Sequence, residues 1–217
     1  MSDFQTLRTT MVDTQVRPSD VTKFPIIDAM LSVPREAFVP DARVAAAYAD
    51  TVIDLGAGRE MFDARTLAKM LDEVAIEPTD LVLDLGAGLG YGAAVLARMA
   101  DFVVAVEEDE SMARDAEAKL AAAGADNVAV ITGALNEGAA KHGPYDVIIV
   151  EGAVQDVPAA IKDQLQDGGR IIALFNEGNL GRVKLGLKRD GNLSWRFAFN
   201  ASGTILPGFE TKKTFAL

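Results

Sequence analysis

The chain has no cysteine and one histidine, His142. Disulfides and thiolate metal sites are therefore excluded, as is any metal centre built on several imidazoles. Basic runs are missing too: 21 Lys and Arg stand against 32 Asp and Glu, giving a net charge of −11. A grip on nucleic-acid phosphates needs clustered cations, so nucleic acid is not an expected partner. No apolar run reaches the roughly 20 residues of a membrane span. Met1-Ser2-Asp3-Phe4-Gln5 lacks the basic and apolar regions of a signal peptide. The expectation is a cytoplasmic chain without a membrane partner.

What is present is an ordinary globular composition, 49% apolar and 24% charged over 217 residues. That length fits a single domain with a full core. The most informative stretch is Leu81-Val82-Leu83-Asp84-Leu85-Gly86-Ala87-Gly88-Leu89-Gly90-Tyr91. A short apolar run ends in an acid, three alternating glycines follow, and an alanine-rich segment reads as a helix. Strand, glycine turn and helix start form a nucleotide-type site, because glycines permit a sharp turn and close approach of a ligand.

Two ligands compete for this pattern. Gly88-Leu89-Gly90-Tyr91-Gly92-Ala93 satisfies the loose dinucleotide pattern G-x-G-x-x-G/A. The fuller pattern places Asp84 two residues before Gly86, where a carboxylate repels a pyrophosphate but suits an ammonium and a sulfonium. That ligand is S-adenosylmethionine, with S-adenosylhomocysteine as product. Phe102-Val103-Val104-Ala105-Val106 ends in Glu107, about the 20 residues downstream expected of a carboxylate that binds both ribose hydroxyls. Asp84, Gly86, Ala87, Gly88, Gly90 and Glu107 are thus candidate cofactor residues. Glu108 opens an acidic run that also suits a helix start, and Tyr91 fits either packing or the methionine part of the ligand.

Along the chain, residues 1–60 read as a helical N-terminal section, 61–181 as an α/β core and 182–217 as antiparallel strands, all one domain. Met11 to Asp20 suggest a short helix and a turn. Phe24, Ile27, Met30 and Leu31 recur at helical spacing from a start near Pro25. The two prolines of 33–40 imply turns, and Ala45 to Ala49 a further helical turn. Asp63 is placed to cap a helix carrying Leu67, Met70, Leu71 and Val74. Strands are expected at 81–85, 102–106, 128–131, 146–150 and 170–175, and helices near 91–99, 110–123 and 157–166, the last stopped by Gly168-Gly169. Such alternation predicts a doubly wound, mostly parallel α/β sheet of Rossmann-like type, with ligands at the carboxyl ends of its strands. Alternating apolar residues at 183–187 and 193–199, around Asp190-Gly191, predict a hairpin, and Thr214–Leu217 a last strand.

Several segments together resemble the protein-L-isoaspartate (D-aspartate) O-methyltransferases. Ile27 to Pro40 is similar to that family's N-terminal signature, and Ala47-Tyr48-Ala49-Asp50 follows as the family has it. Val82 to Ala97 is similar to its glycine motif. Pro144-Tyr145-Asp146-Val147-Ile148 and Gln164-Leu165-x-x-Gly168-Gly169-Arg170 match later segments. The resemblance implies a class I methyltransferase sheet with its last strands in an altered order, S-adenosylmethionine as cofactor, and isoaspartyl residues of damaged proteins as substrate.

Two segments depart from the family. After Gly58 the family has threonine, isoleucine and serine, then a proline two residues on; here the chain reads Arg59-Glu60-Met61-Phe62-Asp63-Ala64. Phe62 stands where the resemblance places an acceptor-site serine. The family's Gly-Asp-Gly near the adenine reads Gly133-Ala134-Leu135, so the adenine contact of its aspartate is missing at Ala134 and falls to backbone there. No residue is assigned as catalytic; Phe62, Asp63 and Glu151 are acceptor-site candidates, with core, helix cap and strand end as their structural roles. His142, beside Gly143-Pro144, reads as a loop histidine, and Trp195 as core or interface. Because the methyl acceptor is unassigned by the motifs themselves, a related enzyme with a rebuilt acceptor pocket and a non-catalytic cofactor-binding module remain the alternatives.

Overall fold

The N-terminal section wraps one face of a twisted sheet. In the computed structural model, which describes residues 3–178 and 180–211, helix α1 (Phe4–Met11) passes without a break into a π turn at Val12–Val16 and a 3-10 turn at Arg17–Ser19. The helix thus begins well before the expected position, capped by Asp3, whose carboxylate accepts from the Gln5 amide. Helix α2 (Phe24–Ser32) starts as expected, with Pro25 in its first turn where no amide is needed. Residues 35–38 and 41–46 form 3-10 turns. A two-stranded hairpin of β1 (Ile53–Gly56) and β2 (Arg59–Met61) then closes the section. The sequence reading of 1–60 as helices and turns did not include it, because its flanks are too short for alternation to be visible.

Helix α3 (Ala64–Val74) follows, with Leu67, Met70, Leu71 and Val74 all buried and Asp63 capping it through the Thr66 amide. The parallel strands are β3 (Leu81–Leu85), β4 (Phe102–Glu107), β5 (Val128–Thr132), β6 (Tyr145–Val154) and β7 (Leu165–Glu177). Helices α4 (Tyr91–Leu96), α5 (Glu110–Ala122) and α6 (Ala159–Gln164) make three of the four connections, and a 3-10 turn at Ala140–His142 lies in the one between β5 and β6. Strands β8 (Leu180–Arg189) and β9 (Asn192–Asn200) add an antiparallel hairpin, giving seven strands in the order β5-β4-β3-β6-β7-β8-β9. Tight turns join the last strands, so they follow one another in chain order.

The expected helix over 157–166 ends earlier than the glycines suggest. The residue that follows it, Leu165, is already extended and opens β7, and Gly168-Gly169 lie within that strand. The pairing with β6 shifts between Tyr145↔Leu165 and Val147↔Arg170, so the glycines serve an irregular strand start rather than a helix stop. The strand expected at Thr214–Leu217 lies outside the described residues. Alternation along the central strands divides the core in two: Val82, Val103, Ala105, Val147, Ile149 and Ile172 face the N-terminal section and α3, while Leu83, Val104, Ile148, Val150 and Ile171 face α6. Chain order reverses between β3 and β6, which places the ligand-binding crevice at their carboxyl ends.

Candidate active site

The crevice is built from the ends of three strands. Glycines 86, 88 and 90 follow β3 with φ of 83°, 56° and 92°, a conformation that side chains other than hydrogen resist. The loop is pinned against β4: the amides of Gly86 and Ala87 donate to the Val106 carbonyl at 3.0 and 3.2 Å. Asp84, one residue from the end of β3, is completely buried, and neither of its carboxylate oxygens has a hydrogen-bond partner among the described residues. Burial, reinforced by the charge of Glu107, pushes its carboxyl up to about 8.

Glu107 ends β4 and is equally buried, but is fully engaged. Arg59 Nε donates to both of its oxygens at 3.0 and 3.1 Å, and the amides of Gly88, Glu108 and Asp109 donate at 3.0, 2.8 and 3.0 Å. Glu108 is half-exposed and reaches Arg59 only at 3.7 Å. Sequence reasoning missed Arg59; its one signal is a lone cation in the segment that departs from the resemblance.

Glu151 lies inside β6, which runs on to Val154, and so does not end its strand. Its buried carboxyl is pushed well above the usual range by burial and then by the charge of Asp84, with Arg35 opposing. Arg35, 1% exposed, bridges the N-terminal section to this region: Nε donates to the Ala47 carbonyl at 2.7 Å and Nη2 to the Phe62 carbonyl at 2.6 Å. Its guanidinium sits 4.7 Å from the Tyr91 ring centroid, a cation–π contact made strong by desolvation. Tyr91 also meets Phe38 edge-on, so packing is its observed role.

The remaining candidates separate. Asp63 accepts from the Thr66 amide at 2.9 Å and its hydroxyl at 2.7 Å, which is a helix cap. Phe62 is 1% exposed within the core. Gly133 and Ala134 follow β5 at the rim, where the Gly133 amide is taken by the Glu107 carbonyl at 3.1 Å. His142 is exposed at the end of a 3-10 turn, Ala140–His142, rather than in the expected loop. Among the described residues no group of three or more His, Asp or Glu is placed to hold a metal, and no helix is long and apolar enough to cross a membrane.

A family profile described as protein-L-isoaspartate(D-aspartate) O-methyltransferase matches residues 8–199. The protein-L-isoaspartate O-methyltransferase of Methylorubrum extorquens is 41% identical over 165 residues, covering 76% of this chain and 72% of its own length. That of Roseiflexus sp. is 36% identical over 190 residues, covering 88% and 86%. A solved protein-L-isoaspartate O-methyltransferase superposes with a TM-score of 0.82 at 26% identity, over 94% of this chain and 66% of that one. A Plasmodium falciparum structure titled as such an enzyme in complex with S-adenosyl-L-homocysteine shares the fold, with a TM-score of 0.80 at 18% identity over 95% and 99%.

Proposed function

The chain belongs to the protein-L-isoaspartate (D-aspartate) O-methyltransferase family, and from that premise we propose that it methylates the carboxylate of isoaspartyl residues in damaged proteins, with S-adenosylmethionine as donor. The observation that carries the reading is Asp84, whose two buried oxygens lack partners at the head of the glycine turn. A buried carboxylate without a donor is costly unless it meets a cation, and the ammonium of the cofactor supplies one. The residues fit this group. Gly86, Gly88 and Gly90 present backbone without side chains, and Glu107 offers a carboxylate for a diol. Gly133 and Ala134 contribute only backbone and a methyl group toward the adenine.

When bound, the cofactor supplies an electrophilic methyl group on a sulfonium. The acceptor carboxylate is ionised at neutral pH, its reference pKa being about 4. No general base is then required, and the protein's contribution is to orient the two groups and exclude water. That division of labour suits a chain whose one histidine is exposed. The acidic surface, −11 overall, supports a protein substrate over nucleic acid, and the cytoplasm is the proposed location.

The test is transfer of labelled methyl from S-adenosylmethionine to an isoaspartyl peptide, with its aspartyl twin as control. Label on the isoaspartyl peptide alone is expected. Label on neither, from folded protein that binds S-adenosylhomocysteine, would remove the substrate assignment and leave the cofactor.

A further inference from the structure

We propose that Arg59 is an internal competitor for the cofactor's ribose: the β1–β2 hairpin and the 201–211 segment form a two-part lid, and the cofactor binds by exchanging its ribose hydroxyls for this guanidinium. The inference rests on the cofactor reading above.

Glu107 is saturated. An ionised carboxylate has about four lone-pair sites, and Arg59 with three backbone amides occupies them. Three of those donors are the backbone of the loops that build the site. Arg59 is the one that a side-chain movement can withdraw, and a diol needs the positions it holds.

The glycine turn is covered by the same lid. Leu55, on β1, places Cδ1 2.7 Å from where a Cβ on Gly88 would lie. Leu206 places Cδ1 3.0 Å from the corresponding point on Gly86. Gly86 and Gly88 are buried beneath the lid, while Gly90 is covered by Leu120 and Ala116 of α5. The two parts of the lid are joined, because the Thr204 amide donates to Glu60 Oε2 at 2.8 Å. The 201–211 segment is itself held to β6 by bonds between Ala153 and both Thr204 and Leu206 at 2.9 Å.

The hairpin is built to move. It pairs with no strand of the main sheet, and a two-stranded ribbon is marginal by itself. Its tip, Gly56-Ala57-Gly58, is exposed and left-handed at all three residues, with φ of 89°, 51° and 73°. What holds it down is the set of side chains it inserts: Ile53, Leu55, Arg59 and Met61. A buried ion pair gains little over its desolvation cost, and Arg59 released to water recovers its hydration. The exchange leaves Glu107 to its three backbone amides and the diol, and the closed form taxes cofactor affinity by the fraction of molecules it holds shut.

Titration of the full chain with S-adenosylhomocysteine tests this. Arg59→Ala is expected to bind at least about tenfold more tightly than the unmodified protein, and Leu55→Ala more tightly by a smaller factor. Because Arg59→Ala leaves Glu107 buried without its cation and can fail to fold, the unmodified protein carries a second readout. In its spectrum the Arg59 Nε–H proton is expected to be protected from exchange when free and to lose that protection in the complex. Equal or weaker binding by folded Arg59→Ala, or an Arg59 Nε–H still protected in the complex, would overturn the exchange and make the pair purely structural. Failure of every form to bind would instead overturn the cofactor reading, and this one with it.

Discussion

Glu151 stands in the space that a side chain on Gly92 would need: its Oε1 lies 1.4 Å from the position of a Cβ there. The glycine at the start of α4 is thus required by the acid on β6, and neither residue reports this by itself. Oε1 has no hydrogen-bond partner among the described residues.

Gly92→Ala is therefore expected to expel Glu151 and destabilise the fold by about 1–3 kcal/mol, the usual cost of overpacking. In the background of Glu151→Ala the same change should cost much less, a coupling measurable by denaturant unfolding of the four proteins of the cycle. Additive effects would mean that Glu151 has another place to go.

Asp84 makes stability depend on pH. Its carboxyl is raised to about 8 in the folded state from the ordinary 3.8 of an aspartate, so the folded chain holds a proton that the unfolded chain has lost. The sign follows: stability is highest below the unfolded value, falls as pH rises through the interval from about 4 to about 8, and is flat above it. Asp84→Asn should remove the share of this slope that Asp84 supplies, leaving that of Glu151, and be the more stable protein at pH 8, by on the order of 5 kcal/mol at most. Denaturant midpoints at several pH values decide; an unchanged slope would place the titration elsewhere.

Asp63 is expected to behave as a cap. Asp63→Ala should cost about 1 kcal/mol through the lost bond to the Thr66 amide, while Asp63→Ser should recover most of it. Thermal unfolding of both variants is the measurement, and equal loss in both would point to the carboxylate charge instead.

Phe62 cannot simply be exchanged for the serine that the family resemblance places there. The ring is buried in the core, its Cε1 3.1 Å from where a Cβ on Gly203 would lie. Phe62→Ser opens a cavity and buries a hydroxyl, and is expected to cost about 3–5 kcal/mol. Calorimetry or denaturant unfolding would show this; a variant of unaltered stability would mean that the ring lies in a pocket able to admit a ligand.

Much of the molecule could be read from local pattern. The strands β3, β4 and β5 each carry a run of aliphatic residues long enough to declare itself, and the helix of 64–74 shows both its cap and its stripe. Where local signals are shared between structures, the reading went astray. Glycine pairs end helices but also serve irregular strands, which is how Gly168-Gly169 came to suggest the wrong element. The β1–β2 hairpin has strands of four and three residues, below what period-two alternation can distinguish from a loop.

The sequence by itself determined the sheet, the glycine turn and the two acids at its strand ends, because each depends on residues adjacent in the chain. It also determined what chemistry was out of reach, through the missing cysteines and the lone histidine. Only the tertiary structure decided which groups meet those acids. Arg59 reaches Glu107 across 48 positions, Leu206 covers Gly86 from the far end of the chain, and Glu151 claims the space beside Gly92. Such pairings are set by how elements pack, and no spacing along the chain encodes them.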